Sequence, residues 1–222
     1  MKLAKISEIF KSIQGEGIWQ KKEQVFIRFF GCNLNCKFCD TKQNYYELMR
    51  VGQVVKEVDS LGSFHSLSLT GGEPLLQADF IKDLGVNLKR SGKIIYLETN
   101  GVLYQDLAKV VDLIDLISMD FKFPSSTGQL PFWGMHQKFI KVAKKANLFA
   151  KAVIGKDTVI EDLDKAIEII KKNKPDLLLI LQPENPYEYL LEKKLNDFKK
   201  KCLDNSISVK IMSQLHKKIG IK

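Results

Sequence analysis

The sequence of 222 residues has few of the features that would place a protein in a membrane or on a nucleic acid. It has no apolar run that approaches the roughly 18 residues of a membrane-spanning helix. Its first ten residues interleave charged and apolar side chains, which is not the pattern of a secretory signal. Only three of its 35 basic residues are arginine, the side chain that most often reads bases. We therefore expect a cytoplasmic protein with no membrane and no nucleic-acid partner.

What is present is an ordinary globular composition. Hydrophobic residues make up 45% of the chain and charged residues 27%, which excludes a disordered chain. The net charge of +9 comes almost entirely from lysine and predicts a solvated surface with a mild attraction for anions. No linker, repeat or low-complexity segment divides the chain, so residues 1–222 are predicted to form one domain.

Short apolar runs alternate with longer amphipathic runs along the chain. The apolar runs, interpreted as strands, are 25–30, 66–70, 94–98, 116–121, 148–154, 177–182 and 207–212. The amphipathic runs, interpreted as helices, are 51–61, 76–90, 104–113, 131–146, 160–173 and 187–204. This alternation predicts an α/β fold of parallel βαβ units. Because a complete barrel needs eight units and no G-x-G-x-x-G follows a strand, we expect a partial βα barrel with six to seven mostly parallel strands.

Three of the four cysteines lie within eight residues, directly after the first predicted strand. Cys32, Cys36 and Cys39 have the spacing C-x3-C-x2-C, whereas Cys202 is distant and is interpreted as incidental. In a cytosolic chain such a group indicates metal or redox chemistry. Three thiolates can hold three corners of a cubane cluster and leave one iron open, because full protein ligation takes four cysteines. The alternative, a structural zinc site, has no fourth ligand at the usual short spacing.

Two further polar segments follow later strands. Residues 70–74 read T-G-G-E-P, in which two glycines permit a close approach to the backbone, although a tight turn explains this segment equally well. In residues 116–122, alternation places Ser118, Asp120 and Lys122 on one face of a strand. A polar face on a covered strand is costly unless it meets a ligand, and the other interpretation is an edge strand with one wet face. Residues 98–101, E-T-N-G, either face the same ligand or form a turn.

The cysteine motif followed by T-G-G-E-P on the next strand resembles the radical S-adenosylmethionine superfamily. The resemblance implies a partial βα barrel in which Cys32, Cys36 and Cys39 bind a [4Fe–4S] cluster. It also implies that the amine and carboxylate of S-adenosylmethionine chelate the open iron. The residues that it assigns to S-adenosylmethionine binding are Phe38, Cys39, Asp40, Gly71, Gly72, Glu73, Ser118, Met119 and Asp120.

The amino-terminal segment carries a second set of polar residues. Gln14 and Glu16, within S-I-Q-G-E-G, place an amide and a carboxylate on an adaptable loop that suits a guanidine-like or pterin edge. Arg28 lies on an apolar strand beside Phe26 and Phe30. An arginine in such a place needs an anion, and the carboxylate of a ligand is a good partner.

With F-I-R-F-x-G-C-N-L, E-T-N-G, S-x-D-x-K and the closing Q-L-H-K, these segments are similar to the family of 7-carboxy-7-deazaguanine synthases. The likeness implies a lyase that contracts the ring of 6-carboxy-5,6,7,8-tetrahydropterin to 7-carboxy-7-deazaguanine with loss of ammonia, in queuosine or 7-deazapurine biosynthesis. It implies that cluster and cofactor carry the radical chemistry, with no catalytic side chain. The implied substrate contacts are Ile13, Gln14, Gly15, Glu16, Arg28, Thr70 and His216.

The same likeness implies a Mg²⁺ ion at Thr41, and this ion should bind well only when substrate is present. It also implies a homodimer and an electron donor of the flavodoxin or ferredoxin type. Plainer roles compete at two positions. Thr41 is also suited to cap a following helical turn, and His216 to lie on the surface among lysines. The contribution of residues 123–146 stays open.

Two other functions compete with this interpretation. A glycyl-radical-enzyme activating protein shares the cysteine and glycine motifs, but it acts on a partner protein and has no use for Arg28 or the Q-G-E-G loop. A zinc-binding regulator or RNA-binding module would use the cysteines as a zinc knuckle. Roughly four irons per chain without stoichiometric zinc would exclude the second of these functions.

Overall fold

The computed structural model describes residues 2–41 and 43–220, which build one nine-stranded sheet and the helices that connect its strands. The strands are β1 (Leu3–Ile13), β2 (Glu23–Phe29), β3 (Glu47–Arg50), β4 (Ser66–Gly71), β5 (Ile95–Thr99), β6 (Leu116–Asp120), β7 (Asn147–Ile154), β8 (Leu179–Pro183) and β9 (Val209–Ile211). The helices are α1 (Val51–Ser60), α2 (Ala78–Arg90), α3 (Tyr104–Leu107), α4 (Pro124–Thr127), α5 (Trp133–Ala143), α6 (Ile160–Asn173), α7 (Glu192–Asp204) and α8 (Leu215–Ile219).

Seven of the strands form the parallel part of the sheet. β2 pairs in parallel with β4, and each strand from β4 to β8 pairs in parallel with the strand that follows it in the chain. β3 and β9 are the two edges, so the described sheet is open rather than a closed barrel. These seven strands correspond to the seven predicted apolar runs, and the prediction of an α/β partial barrel is confirmed.

The sheet has two strands more than the six to seven predicted. β1 pairs antiparallel with β2 on one side and with β3 on the other. Neither is a continuous apolar run: β1 carries charged residues between its apolar ones, and β3 has four residues of which only Met49 is buried. Such partly exposed antiparallel strands lack the near-continuous hydrophobic sequence of a strand covered on both faces.

The predicted helices are present: α6 has the predicted bounds 160–173, and the others are shorter than predicted. The segment 104–113 contains α3 and a 3₁₀ turn, 131–146 narrows to α5, and 187–204 begins with a 3₁₀ turn before α7. Another 3₁₀ turn, Pro74–Gln77, precedes α2. Within the described ranges, no helix has the length and apolar character needed to cross a bilayer.

The inner face of the sheet is filled at the amino ends of the strands. A small buried cluster there consists of Tyr96, Leu116, Phe149 and Ile180, and Trp19 from the loop after β1 packs against it. Gly17 in the same loop has φ +68°, and a Cβ there would lie 2.6 Å from Phe149 Cζ, so this turn requires glycine. Beyond this apolar cluster, toward the carboxyl ends of the parallel strands, the side chains on the inner face are polar.

Candidate active site

Two adjoining cavities lie at the carboxyl ends of the parallel strands. The walls of the first, the cysteine cavity, include Cys32, Cys36, Phe38, Cys39, Gly71, Gly72, Asn100, Ser118, Asp120, Lys122 and Lys151. The walls of the second, the arginine cavity, include Phe10, Ile13, Gln14, Gly15, Phe26, Arg28 and His216. Both cavities share Glu16, Asp40, Thr41, Thr70, Glu98 and Lys217. Of the residues that the sequence assigned to a site, only Glu73 and Met119 line neither cavity.

The loop that carries the cysteines contains no helix or strand and is held by the segment after β6. The backbone N–H of Lys37 donates to the carbonyl of Thr127 at 3.0 Å. The Gln129 side-chain amide donates to the carbonyl of Asn35 at 2.8 Å. Part of the stretch 123–146, whose contribution the sequence left open, therefore supports the cysteine loop.

The three thiols are free and line one cavity. Burial raises the pKa of Cys32 and of Cys36, and the positive charge of Lys122 opposes that shift. Across residues 2–41 and 43–220, no three His, Cys, Asp or Glu side chains converge on one metal ion. A zinc ion gathers thiolates about 2.3 Å from one point, whereas a cubane cluster bonds each cysteine to a different iron. Three thiols on the wall of one cavity are a donor set that fits a [4Fe–4S] cluster with one iron left open to another ligand.

Two glycines, the last residue of β4 and the residue after it, bring the end of this strand against the start of the cysteine loop. Gly71 has φ +121°, and a Cβ on Gly72 would lie 1.9 Å from the carbonyl oxygen of Gly31. The backbone N–H of Gly72 donates to the Phe29 carbonyl at 3.0 Å, and that of Glu73 to the Gly31 carbonyl at 2.8 Å. The close approach that the sequence predicted here is therefore made by the protein's own backbone, which links the two motifs physically.

Glu73 is fully buried and its carboxylate faces the protein interior. It accepts hydrogen bonds from the Leu75 N–H at 3.0 Å, the Thr99 hydroxyl at 2.8 Å and the Asn100 N–H at 2.8 Å. Asn100 in turn donates from its side chain to the Asn33 side chain in the cysteine loop at 2.8 Å. The carboxylate thus holds the end of β5, and any contact of Glu73 with a cofactor amine would have to come from its backbone.

Because of Glu73, the free energy of unfolding should fall as the pH rises from about 5 to about 8. Burial raises its pKa from 4.5 to about 7, so the unfolded chain releases this proton at lower pH than the folded chain. Unfolding is therefore favoured increasingly across this interval, by up to about 3 kcal/mol. Glu73→Gln does not titrate and should flatten this part of the profile. Chemical denaturation of both proteins across this pH range tests the prediction, and parallel profiles would contradict it.

β6 divides its side chains as the alternation predicted. Met119 is buried in the main core with its neighbours at 117 and 121, whereas Ser118, Asp120 and Lys122 line the cysteine cavity. Asp120 Oδ2 accepts a hydrogen bond from Lys122 Nζ at 2.7 Å. Asp120 Oδ1 is buried and accepts no hydrogen bond, although Lys151 Nζ lies 3.4 Å away. An acceptor left without a donor suits the hydroxyl or amine groups of S-adenosylmethionine, so the residues present fit that cofactor.

Arg28 has an anionic partner that the sequence interpretation missed. Its guanidinium forms an ion pair with Glu8, which lies opposite it on β1. The guanidinium carbon also lies 5.1 Å from the centroid of the Phe10 ring, which stacks on Phe26. Because a guanidinium has five N–H donors, Arg28 has the capacity to bind a ligand carboxylate in the arginine cavity while it pairs with Glu8.

Glu98 lies on the wall that the two cavities share. The sequence left open whether its segment faces a ligand or forms a turn. Its carboxylate accepts hydrogen bonds from Gln14 Nε2 at 2.8 Å, Ser68 Oγ at 3.1 Å and Thr70 Oγ1 at 3.0 Å. Burial and the nearby charge of Glu16 raise its pKa. A carboxylate at the end of an apolar strand is the sequence signal for such a residue.

The segment before and within α8 closes the arginine cavity. The backbone N–H of Leu215 donates to the Gly15 carbonyl at 2.9 Å, and a Cβ on Gly15 would lie 2.0 Å from His216 Nδ1. His216 is therefore packed against the loop after β1 rather than placed on a remote surface. Thr41 Oγ1 lies 3.5 Å from Asp40 Oδ1. Residues 43–46 form no helix, so Thr41 has no helical turn to cap in the described part of the chain.

Comparison with known proteins agrees with this arrangement. The sequence profile of the Radical SAM superfamily matches residues 26–191, which include the cysteine loop, the glycine turn and β6. The chain belongs to the radical S-adenosylmethionine superfamily.

Individual relatives with high sequence identity show which family of this superfamily the chain resembles. The 7-carboxy-7-deazaguanine synthase of Geobacter sulfurreducens is 37% identical over 204 residues, which cover 81% of this chain and 81% of that protein. The enzyme of the same name from Methanospirillum hungatei is 33% identical over 221 residues, covering 98% of this chain and 86% of that protein. Within the superfamily, the chain belongs to the 7-carboxy-7-deazaguanine synthase family. The crystal structure of QueE from Escherichia coli shares the fold, with a TM-score of 0.68, 16% identity and coverage of 95% and 94%.

Proposed function

We propose that this protein is a 7-carboxy-7-deazaguanine synthase, a carbon–nitrogen lyase that converts 6-carboxy-5,6,7,8-tetrahydropterin to 7-carboxy-7-deazaguanine with loss of ammonia. The observation that carries the proposal is the shared wall between a cavity with three free thiols and a cavity with an arginine and buried acceptors. This reaction belongs to queuosine or 7-deazapurine biosynthesis. An activating protein for a glycyl-radical enzyme would leave the second cavity without a purpose.

The cysteine cavity is the proposed place of the [4Fe–4S] cluster and S-adenosylmethionine. Cys32, Cys36 and Cys39 would hold the cluster. The cofactor would lie among the predicted residues on this cavity's wall, of which Asp120 has one carboxylate oxygen that accepts no hydrogen bond. When bound, the two groups supply reductive cleavage of S-adenosylmethionine and abstraction of a hydrogen atom from the substrate. No side chain of the protein is proposed to take part in the radical chemistry itself.

The arginine cavity is the proposed place of the pterin. The amino-pyrimidine edge of a pterin carries N–H donors, for which the carboxylates of Glu16 and Glu98 and the Gln14 amide oxygen are acceptors. Arg28 would bind the substrate carboxylate with charge-assisted hydrogen bonds. Ile13, Gly15, Thr70 and His216 complete the wall that we assign to the substrate.

Further properties belong to the same proposal. Residues 1–222 act as one catalytic domain, in a homodimer, in the cytoplasm, with a flavodoxin- or ferredoxin-type protein as electron donor. An environment that keeps thiols reduced suits a cluster held by free cysteines. We assign Mg²⁺ to Thr41, and the position of this residue on the wall shared by both cavities supports the assignment.

The test is anaerobic turnover of the reconstituted chain with 6-carboxytetrahydropterin, S-adenosylmethionine, a strong reductant and Mg²⁺. We expect 7-carboxy-7-deazaguanine and ammonia in equal amounts, from protein with roughly four irons per chain and no stoichiometric zinc. A chain that carries the cluster and cleaves S-adenosylmethionine, yet forms no 7-carboxy-7-deazaguanine, would overturn the assignment.

Thr41→Ala should keep the cluster but shift the Mg²⁺ dependence of turnover to higher concentration, by about tenfold for the loss of one oxygen ligand or hydrogen bond. Thr41→Ser retains the hydroxyl and should titrate like the wild type. The measurement is turnover against Mg²⁺ concentration for the three proteins, together with their thermal stability. Superimposable titrations for wild type and Thr41→Ala would remove Thr41 from the metal site.

A further inference from the structure

Lys151 is a buried lysine in the middle of the polar inner face of the sheet, and no motif pointed to it. It lies on β7 opposite Asp120 of β6, and the residue is 9% exposed. Its ammonium forms an ion pair with Glu16 and lies 3.4 Å from Asp120 Oδ1. Lys151 therefore contacts one residue assigned to the substrate and one assigned to S-adenosylmethionine.

The charges around Lys151 keep it protonated. Burial acts to lower its pKa, but Asp120 and Glu16, and then Glu98, raise it well above the ordinary value. Lys122 is the other ammonium on this face, and it already binds Asp120 Oδ2. A permanently charged ammonium cannot serve as a base. Lys151 therefore contributes by fixing the positions of the carboxylates that it contacts.

Glu16 depends on Lys151 for both its charge and its position. Burial acts to raise the pKa of Glu16, yet the charge of Lys151 and hydrogen bonds from Gln214 and Lys151 lower it overall. Without the lysine, the Glu16 carboxylate would keep the bond from Gln214 Nε2 at 2.6 Å and would face the negative charge of Glu98 unopposed. Two like charges on one cavity wall repel, so one of the two acceptors would turn away or take up a proton.

We propose that Lys151 is a positioning residue that holds Glu16 in place for the pterin and ties it to Asp120 on the S-adenosylmethionine side. This inference rests on the proposed function. The contact to Glu16 joins residues 135 positions apart, from the loop after β1 and the centre of β7. The lysine thereby sets the distance between the pterin wall and the cofactor wall, on which transfer of a hydrogen atom between two ligands depends.

The experiment compares Lys151→Met, Lys151→Arg and the control Lys156→Met, whose lysine is exposed on the loop after β7 and packs on the Tyr187 ring. Two equilibria are measured by calorimetry on cluster-loaded protein: binding of 6-carboxytetrahydropterin in the presence of S-adenosylhomocysteine, and binding of S-adenosylhomocysteine alone. We expect Lys151→Met to weaken pterin binding by at least about tenfold, the effect of a lost hydrogen bond to a charged group. Binding of S-adenosylhomocysteine should change less, because Asp120 keeps Lys122. Lys151→Arg should restore most of the pterin affinity, and Lys156→Met should match the wild type.

A merely structural lysine would behave differently. It would lower the affinities for both ligands together with the melting temperature, and Lys151→Arg would not rescue them; that pattern overturns the proposal, as does unchanged pterin binding in Lys151→Met. If Lys151→Met fails to fold, Lys151→Gln, Glu16→Gln and the double variant Glu16→Gln/Lys151→Gln decide the question. Because the lysine acts through Glu16, the second change should then have almost no further effect on pterin binding, whereas independent losses that add would overturn the proposal.

Turnover and pterin binding of the wild-type protein distinguish a failure of this inference from a failure of the proposed function. Wild-type protein that binds the pterin but forms no 7-carboxy-7-deazaguanine would refute the proposed function and leave the binding comparison intact. Wild-type turnover combined with unchanged pterin affinity in Lys151→Met would refute the role of Lys151 alone.

Discussion

Alanine at any one of Cys32, Cys36 and Cys39 is expected to abolish both the iron content and the turnover of the protein. Two thiolates cannot hold three corners of a cubane cluster. The three thiols line one cavity, whereas Cys202 is buried on α7 and lines neither cavity, so it is not placed to replace a lost ligand. Iron analysis, the visible absorption of anaerobically reconstituted protein and turnover measure the effect.

Cys202→Ala is the matched control for these variants. Cys202 is buried in the core on α7, and burial raises its pKa to about 12, so it is an inert thiol. Its replacement should leave iron content and turnover unchanged and reduce the free energy of unfolding by about 1 kcal/mol. Full iron content in Cys36→Ala would remove the cluster assignment.

The second large effect is expected at Arg28. Arg28→Ala should reduce kcat/KM for the pterin by a factor equivalent to about 2–5 kcal/mol, because it removes a charge-assisted partner of the substrate carboxylate. Cleavage of S-adenosylmethionine without substrate should survive, because Arg28 lines the arginine cavity and not the cysteine cavity.

The ion pair with Glu8 requires a control that separates substrate binding from structure. Glu8→Gln/Arg28→Ala removes both charges, so an arginine that serves only to neutralise Glu8 would be dispensable in this background. We expect the double variant to regain stability but to remain deficient in KM for the pterin. Normal kcat/KM in the double variant would assign Arg28 a structural role.

The parallel part of the fold follows from the sequence because its central strands are buried along almost their whole length. Their sequences are rich in apolar residues, as in 148–150 of β7 and 179–181 of β8, and the polar residues that interrupt or follow these runs stand out. The residues that follow β2 and β4 meet in the structure, where the bond from Glu73 N–H to the Gly31 carbonyl joins the two segments.

What the sequence did not predict depends on partners that are distant along the chain. The role of Glu8 opposite Arg28 requires β1, whose alternating polar residues hid it. Lys151 interrupts the apolar run 148–154 of β7, and its role depends on the carboxylates of Glu16 and Asp120 that lie close to it in the structure. Glu73 was expected at the cavity because T-G-G-E-P follows a strand, but its orientation depends on the donors offered by Thr99 and Asn100.

The contacts between the loop after β1 and the segment before α8 have a consequence for how the protein is made. Gln214 reaches Glu16 across 198 positions of sequence, and the backbone of Leu215 binds that of Gly15. Contacts of such separation form late, because the intervening chain must first be ordered. During synthesis the parallel sheet is thus able to assemble before the pterin wall exists. A ribosome that stalls before residue 214 would release a chain that is largely folded yet unable to bind its substrate.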